Sequence, residues 1–292
     1  MKQKNLPFDL SFEFFPPKTE VGKEKLRAVW GRLAGFKPHF FSVTYGAGGS
    51  TQAGTLDTVL ALKADGQVAA PHLSCIGSTR AEIETVVAGY QAQGIGHIVA
   101  LRGDLPSGAA SMGDLAHASD LVALIRRHSG AHFRIDVACY PECHPQAKNA
   151  REDLLNFKRK VDAGANGAIT QYFFNADAYF RFVDACAAQG ITIPIVAGIM
   201  PIGNYAQLAR FSEACGAEIP RWLRARMESF ADDNESIRSF GLDVVSALCE
   251  RLIAGGAPGL HFYTLNQADL ALEILERIAE SSAKRNYSAI GN

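Results

Sequence analysis

The sequence predicts an α/β fold of the (β/α)8 TIM-barrel type, with extra helices between strands seven and eight. Three observations predict it. Strand-like and helix-like segments alternate from about residue 10 to 280, which implies a parallel sheet. Eight such units fill roughly 250 residues without a clear linker, the size of one closed barrel. Inward polar residues (Glu13, Thr44, His72, Gln171) interrupt the strands, as a barrel with a working mouth requires. A doubly wound open sheet usually has fewer strands per domain and needs a split. The 292 residues are therefore expected to form one catalytic barrel domain, with a loose polar tail from about residue 281.

Each element has its own signal. Residues 10–15 read as strand one, with Ser11, Glu13 and Phe15 on one face and Phe12 and Phe14 on the other. Pro16 and Pro17 stop it. A helix over 19–34 follows from Leu26, Val29 and Leu33 at helical spacing. Residues 39–45 are strand two, 51–64 helix two and 68–76 strand three. Thr79 and Glu82 form a capping box ahead of helix three, which carries Ile83, Val86, Val87 and Tyr90 on one side. Strand four covers 96–101, a helix 115–128, strand five 133–140, helix five 151–163, strand six 167–174 and a helix 177–188. Strand seven runs over 193–200, closed by Pro201; two or three helical segments span 205–254; strand eight is 259–265 and the last helix 268–280.

Composition narrows the function. Net charge is −1 and pI about 6.7, so no basic excess points to nucleic acid or an anionic membrane. No apolar run reaches the ~18 residues of a membrane span, and the basic N-terminus lacks the apolar core of a signal peptide. Six cysteines are too sparse for a disulfide scaffold. A soluble protein of a reducing cytoplasm is expected.

Active sites of such barrels lie at the C-terminal strand ends. There the sequence sets Glu13, Thr44 and Tyr45, His72, Arg102-Gly103-Asp104, Tyr140 with Glu142 and His144, Gln171, and Tyr263 to Asn266. A carboxylate inside a strong strand is costly unless paired, protonated or used; an ion pair with a neighbouring Lys or Arg is the plain alternative for Glu13. Gly46-Ala47-Gly48-Gly49-Ser50-Thr51 is not a dinucleotide fingerprint, and Asp65 sits at a helix end. A ligand-contacting loop and a simple tight turn both fit it. His72, Cys75, Cys139, Cys143 and His144 have zinc-type donors but no zinc-ribbon spacing, so buried thiols are favoured and no metal is expected. On helix five, Asp153, Asn156 and Lys160 make one stripe. It is either an ordinary solvated face or, beside a mouth, a holder of ribose and phosphate, with Arg102 and Arg159 adding charge-assisted contacts.

Residues 11–18 (SFEFFPPK), 42–47 (SVTYGA), 70–73 (APHL), 101–106 (LRGDLP), 140–142 (YPE), 162–166 (DAGAN), 169–174 (ITQYFF) and 261–266 (HFYTLN) together resemble methylenetetrahydrofolate reductase. The likeness runs in order from about residue 10 to 270 and is to the bacterial single-domain form. It implies FAD bound in the barrel, a hydride taken from NADH or NADPH, and its transfer to 5,10-methylenetetrahydrofolate. The product, 5-methyltetrahydrofolate, feeds methionine synthesis. By the resemblance Glu13 is the general acid, with a pKa raised by an apolar setting that Phe12, Phe14 and Phe15 supply, and Asp104 is the acid near flavin and pterin. FAD is implied at Thr44, Tyr45, Ala47, His72, Arg102, Gly103, Asp104, Ala118, Tyr140, His144, Ala147, Asp153, Asn156, Arg159 and Lys160. Folate or nicotinamide is implied at Glu13, Thr44, Asp104, Gln171, Gln207, Phe211 and Gln267. At Gln267 many relatives have Arg, which removes a cation near the folate's glutamate end, and His117 replaces a frequent Tyr. No clear reader of a 2′-phosphate separates NADH from NADPH. Family members are often oligomers, so a homo-oligomer is the expectation. The rival readings are a zinc-dependent barrel hydrolase or methyltransferase, and a non-catalytic flavin- or folate-binding protein.

Overall fold

The structure, a computed structural model, describes residues 6–46, 51–104 and 113–290, with 282–290 as backbone. Eight parallel strands close in chain order: β1 (Asp9–Phe14), β2 (Phe40–Val43), β3 (Ala69–Ser74), β4 (His97–Leu101), β5 (Arg134–Cys139), β6 (Gly167–Thr170), β7 (Ile195–Ile199) and β8 (Gly259–Tyr263). β8 pairs with both β7 and β1. Helices α1 (Glu20–Leu33), α2 (Gln52–Ala64), α3 (Arg80–Ala92), α4 (Ala118–Ser129), α5 (Ala150–Asp162) and α6 (Ala176–Ala188) follow the first six strands. α7 (Tyr205–Cys215), α8 (Arg221–Ser229) and α9 (Asn234–Ala254) form the insertion between β7 and β8, and α10 (Asp269–Ile290) follows β8.

The pleat sorts residues into two compartments. Leu10, Phe12 and Phe14 face the helices and join Leu26, Trp30 and Leu33 of α1 in the main core. Phe12 stacks on Phe41 at 5.7 Å and meets Phe262 at 5.8 Å, so the β8–β1–β2 seam is aromatic on its outer side. The opposite phase fills the barrel itself. There Phe40, Ala70, Val99 and Ile169 make a small apolar plug. Polar groups lie on either side of it: Glu13, His72 and His261 toward the strand ends, and His97 and Asp136 toward the strand starts.

Three boundaries differ from the sequence reading by three residues or more. β6 stops at Thr170, not residue 174. The apolar run beyond it is buried by side chains instead of a ladder: Tyr172 Oη is 3.0 Å from Ser212 Oγ, and Phe173 stacks on Tyr179. α4 begins at Ala118, where the His117 N–H donates to the Asp120 carboxylate at 2.9 Å. α10 extends to Ile290, beyond the 280 expected for the last helix, because polar residues without Gly or Pro do not break a helix.

Candidate active site

Glu13 is the fifth residue of β1 and points into the barrel near its C-terminal end. Its side chain is 15% exposed, and its Oε2 lies 3.4 Å from His72 Nε2 and 3.6 Å from His261 Nε2. Its close partners are thus two imidazoles, not the Lys or Arg of a plain ion pair. Burial pushes the Glu13 carboxyl up, but the positive charge on His72 and the His261 ring facing the same oxygen pull harder, so it is held below its ordinary value. This corrects the expected raised pKa. Phe12 and Phe14 face the helices and do not line the carboxylate's pocket, while Phe15 is exposed. Burial also pushes His72 down, so the pull of its charge lasts only while it keeps a proton.

The chain fixes Glu13 from behind. The Thr264 hydroxyl donates to the Glu13 carbonyl at 2.7 Å. Asn266 then clasps Phe15: its Oδ1 accepts the Phe15 N–H at 2.8 Å and its Nδ2 donates to the Phe15 carbonyl at 2.9 Å. Side chains thus continue the β1–β8 ladder past the end of the strands. Leu265 and Asn266 both take positive φ, 51° and 59°, so local strain is spent on this clasp.

A cavity of about 540 Å3 opens above Glu13, within the range of small-molecule sites. It brings together Glu13, Phe15, Asp104, Tyr140, His144, Gln171, Phe211 and Tyr263. Asp104 is 85% exposed at the rim, 3.9 Å from Arg102. Tyr140 and His144 pack edge to face at 4.6 Å. Burial pushes His144 down, and its Nδ1 accepts the Gln146 N–H, so Nε2 carries the proton of the neutral ring. Gln207 and Phe211 share a face of α7 at i and i+4. Phe211 also borders an adjoining cavity of about 310 Å3 that holds Gln207 and Gln267.

The remaining residues expected from the sequence lie along the strand ends. Thr44 is anchored by its N–H to Phe14 and by its carbonyl to Thr55, while Tyr45 packs on the core. Gly103 takes φ 80°, and a Cβ there meets Ser74 at 2.7 Å. Arg102 donates to Gln146. Ala118 opens α4, and Ala147 donates to the His144 carbonyl. The stripe on α5 divides. Asp153 accepts the His144 N–H, and the half-buried Lys160 donates to the Ala138 carbonyl, with desolvation lowering its pKa. Asn156 instead meets Arg159, which pairs outward with Glu152. Ala47 lies outside the described residues. Cys75 and Cys139 are buried, and burial pushes Cys75 up to about 12 and Cys139 higher still, so both stay thiols.

Sequence reasoning placed Tyr263 near the mouth without giving it a role and passed over His261. The signal was available: His261 shares the inward phase of Tyr263 on β8, opposite Ser11 and Glu13. A second polar cluster, at the other end of the barrel, was also missed. His97 Nε2 lies 2.8 Å from Asp136 Oδ2, and Arg134 pairs with the other oxygen at 3.1 Å, beside a cavity of about 470 Å3. Asp136 is held below its ordinary value: burial raises it, but His97 and Arg134 prevail.

Known proteins agree with this arrangement. A family model described as methylenetetrahydrofolate reductase matches residues 2–279. The 5,10-methylenetetrahydrofolate reductase of Salmonella typhimurium is 43% identical over 267 residues, covering 91% of this chain and 89% of its own. That of Buchnera aphidicola subsp. Schizaphis graminum is 41% identical, covering 94% and 93%. A probable methylenetetrahydrofolate reductase (NADH) of Oryza sativa is 39% identical over 94% of this chain but 49% of its own. A Clostridium thermocellum structure, described as binding two copies of 5-methyl-5,6,7,8-tetrahydrofolic acid, superposes with TM-score 0.66 at 18% identity over 94% of each chain, a likeness of fold alone. With the motifs carried in order on one closed barrel, and the match extending over nearly its whole length, the chain belongs to the methylenetetrahydrofolate reductase family of oxidoreductases.

Proposed function

We propose that this chain reduces 5,10-methylenetetrahydrofolate to 5-methyltetrahydrofolate with FAD as cofactor and NADH or NADPH as hydride donor, supplying methionine synthesis in the cytoplasm. The observation that carries it is a single inward carboxylate, Glu13, at the floor of the mouth cavity of a barrel from this family. When bound, FAD supplies the redox chemistry, taking a hydride from the nicotinamide and passing it to the folate in separate half-reactions.

Features of this chain suit that cofactor. His72 Nε2 is a buried polar atom without a hydrogen-bond partner among the described residues. Gly103, whose φ of 80° and close approach to Ser74 leave no room for a side chain, lets the chain turn tightly between Arg102 and Asp104 at the end of β4. The half-buried ammonium of Lys160, with Asp153 nearby, suits ribose and phosphate oxygens. Thr44, Tyr45, Arg102, Ala118, Tyr140, His144, Ala147, Asn156 and Arg159 complete the proposed contacts, with Ala47 assigned by resemblance.

The protein's own task is acid catalysis and placement. The imidazolidine ring of the folate opens when its leaving nitrogen is protonated, and Glu13 gives that proton. Bound pterin and flavin that dry the mouth strengthen the upward push of burial on Glu13. Asp104, as a carboxylate at the rim, hydrogen-bonds the pterin and stabilises the resulting iminium cation. Gln171 orients the folate and the nicotinamide, Phe211 stacks on the ligand, and Gln207, Thr44 and Gln267 border it.

Anaerobic visible spectroscopy of the purified protein tests the reading. A yellow protein bleached by NADH and restored by methylenetetrahydrofolate supports it. Colourless protein with stoichiometric zinc indicates a metal-dependent barrel enzyme, and flavin that neither donor bleaches indicates a binding protein. Glu13→Gln is expected to keep bleaching by NADH and to lose folate reduction by about 10²–10⁴-fold, the usual contribution of a positioned acid. Equal loss in both half-reactions makes Glu13 structural.

A further inference from the structure

Behind Glu13 stands a buried pair that the reading above leaves without a role. Ser11 lies two residues before Glu13 on the same inward face, and its Oγ is 2.7 Å from His261 Nδ1. Ser11 is 3% exposed and His261 fully buried. Among the described residues, that nitrogen is the hydroxyl's hydrogen-bond partner. If Nδ1 were the donor, the hydroxyl proton would have no acceptor among the described residues. Ser11 therefore donates and Nδ1 accepts, which places the ring proton on Nε2. Among the described residues Nε2 has no hydrogen-bond partner, and its nearest carboxylate oxygen is Glu13 Oε2 at 3.6 Å. The closest approach of His72 is to the same oxygen.

We propose that Ser11 and His261 are positioning residues for Glu13: they hold Oε2 as the acceptor side and leave Oε1 to carry and deliver the proton. In the transfer, the Oε1–H bond breaks, its electron pair stays on Glu13, and the proton goes to the leaving nitrogen of the folate. The new carboxylate charge then faces the Nε2–H of His261, which favours the transfer. Glu13 regains a proton from solvent at the mouth between turnovers. The other ionisable groups around it are His72 on β3, Tyr263 on β8, whose ring is 5.3 Å from His261, and Asp104, Tyr140, His144, Tyr172 and Cys215 at the cavity wall. His97 on β4 lies beyond Phe40, which packs against both imidazoles.

This inference rests on the proposed role of Glu13 as proton donor. Its test is the pH dependence of single-turnover folate reduction by the holoenzyme, in wild type and Ser11→Ala, with nitrogen-15 NMR of histidine-labelled protein. We expect the Nε2–H tautomer of His261 in wild type and a mixture in Ser11→Ala. Loss of the oriented N–H donor makes Glu13 a weaker acid. The limb where the rate falls with rising pH then moves upward by about one pH unit. His261→Gln moves the limb the same way, while reduction by NADH stays at the wild-type rate in Ser11→Ala. A wild-type Nδ1–H tautomer, or a limb that Ser11→Ala leaves in place, overturns the positioning role. Should Glu13→Gln still reduce folate, it is the underlying role of Glu13 that fails. Should His261→Gln not fold, Ser11→Ala and the tautomer measurement decide alone.

Discussion

Gly198→Ala tests how tightly the mouth is built. Gly198 lies on β7, in register with His261 of β8. A Cβ placed there comes within 2.1 Å of the Thr170 carbonyl oxygen and 2.8 Å of Tyr263 Cε2. It therefore drives between Tyr263 and the carbonyl that accepts the Tyr263 hydroxyl at 2.7 Å. The Gly198 N–H also donates to Thr170 Oγ1 at 2.8 Å, so the backbone has little freedom to retreat. Overpacking costs about 1–3 kcal/mol and the displaced Tyr263 hydrogen bond about 1 more, a loss of about 2–4 kcal/mol. With about 2.1 cal/mol/K per residue over 292 residues, Tm falls by about 3–7 °C. Thermal unfolding at matched cofactor occupancy measures this, and folate KM is expected to rise because Tyr263 lines the cavity. A Tm within about 1 °C of wild type, with unchanged KM, refutes the reasoning, because a barrel able to yield there does not hold Tyr263 rigidly.

Other perturbations separate the two ends of the barrel. Asp136→Ala strips His97 and Arg134 of their shared carboxylate and is expected to cost about 3–5 kcal/mol in urea unfolding, as loss of one partner from a buried pair does. The single-turnover rates stay unchanged, since this cluster lies at the strand starts. Lys160→Met is expected to leave apoprotein stability nearly unchanged and to weaken FAD binding about tenfold or more, read by flavin fluorescence titration. His72 gives a pH signature. Burial lowers its folded-state pKa, so its contribution is fully present above the unfolded value of about 6.5 and is lost as pH falls toward the folded value. Urea midpoints are therefore expected to drop from pH 7.5 to 5.5, and less steeply in His72→Gln; equal slopes assign the loss to other groups.

The barrel was readable because its signals are local and repeated. Proline stops after β1, the Thr79–Glu82 box and alternating segments each mark a boundary without reference to the rest of the chain. The boundary at β6 failed because Tyr172, Phe173 and Phe174 are as apolar as a strand, and only the tertiary structure decides that α6 and α7 bury them. The mouth residues were legible as polar interruptions at strand ends. The environment of Glu13 was not, since flanking residues in a strand belong to opposite compartments. Phe12 and Phe14, beside Glu13 in sequence, are separated from its carboxylate by the sheet. His261, far off in sequence, supplies its setting instead. The same holds for Asp136, whose partner His97 comes from the neighbouring strand.

The clasp of Asn266 on Phe15 joins residues 251 positions apart. During synthesis β1 emerges first and β8 last, so Glu13 is made early and waits for nearly the whole chain before its surroundings exist. Closing so long a loop comes at an entropic cost that local helices and sequential β-α pairs do not face, which places the β8–β1 seam among the slow events of folding. Folate reduction therefore reports on a finished barrel. A refolding chain is expected to recover helical signal well before it recovers folate reduction.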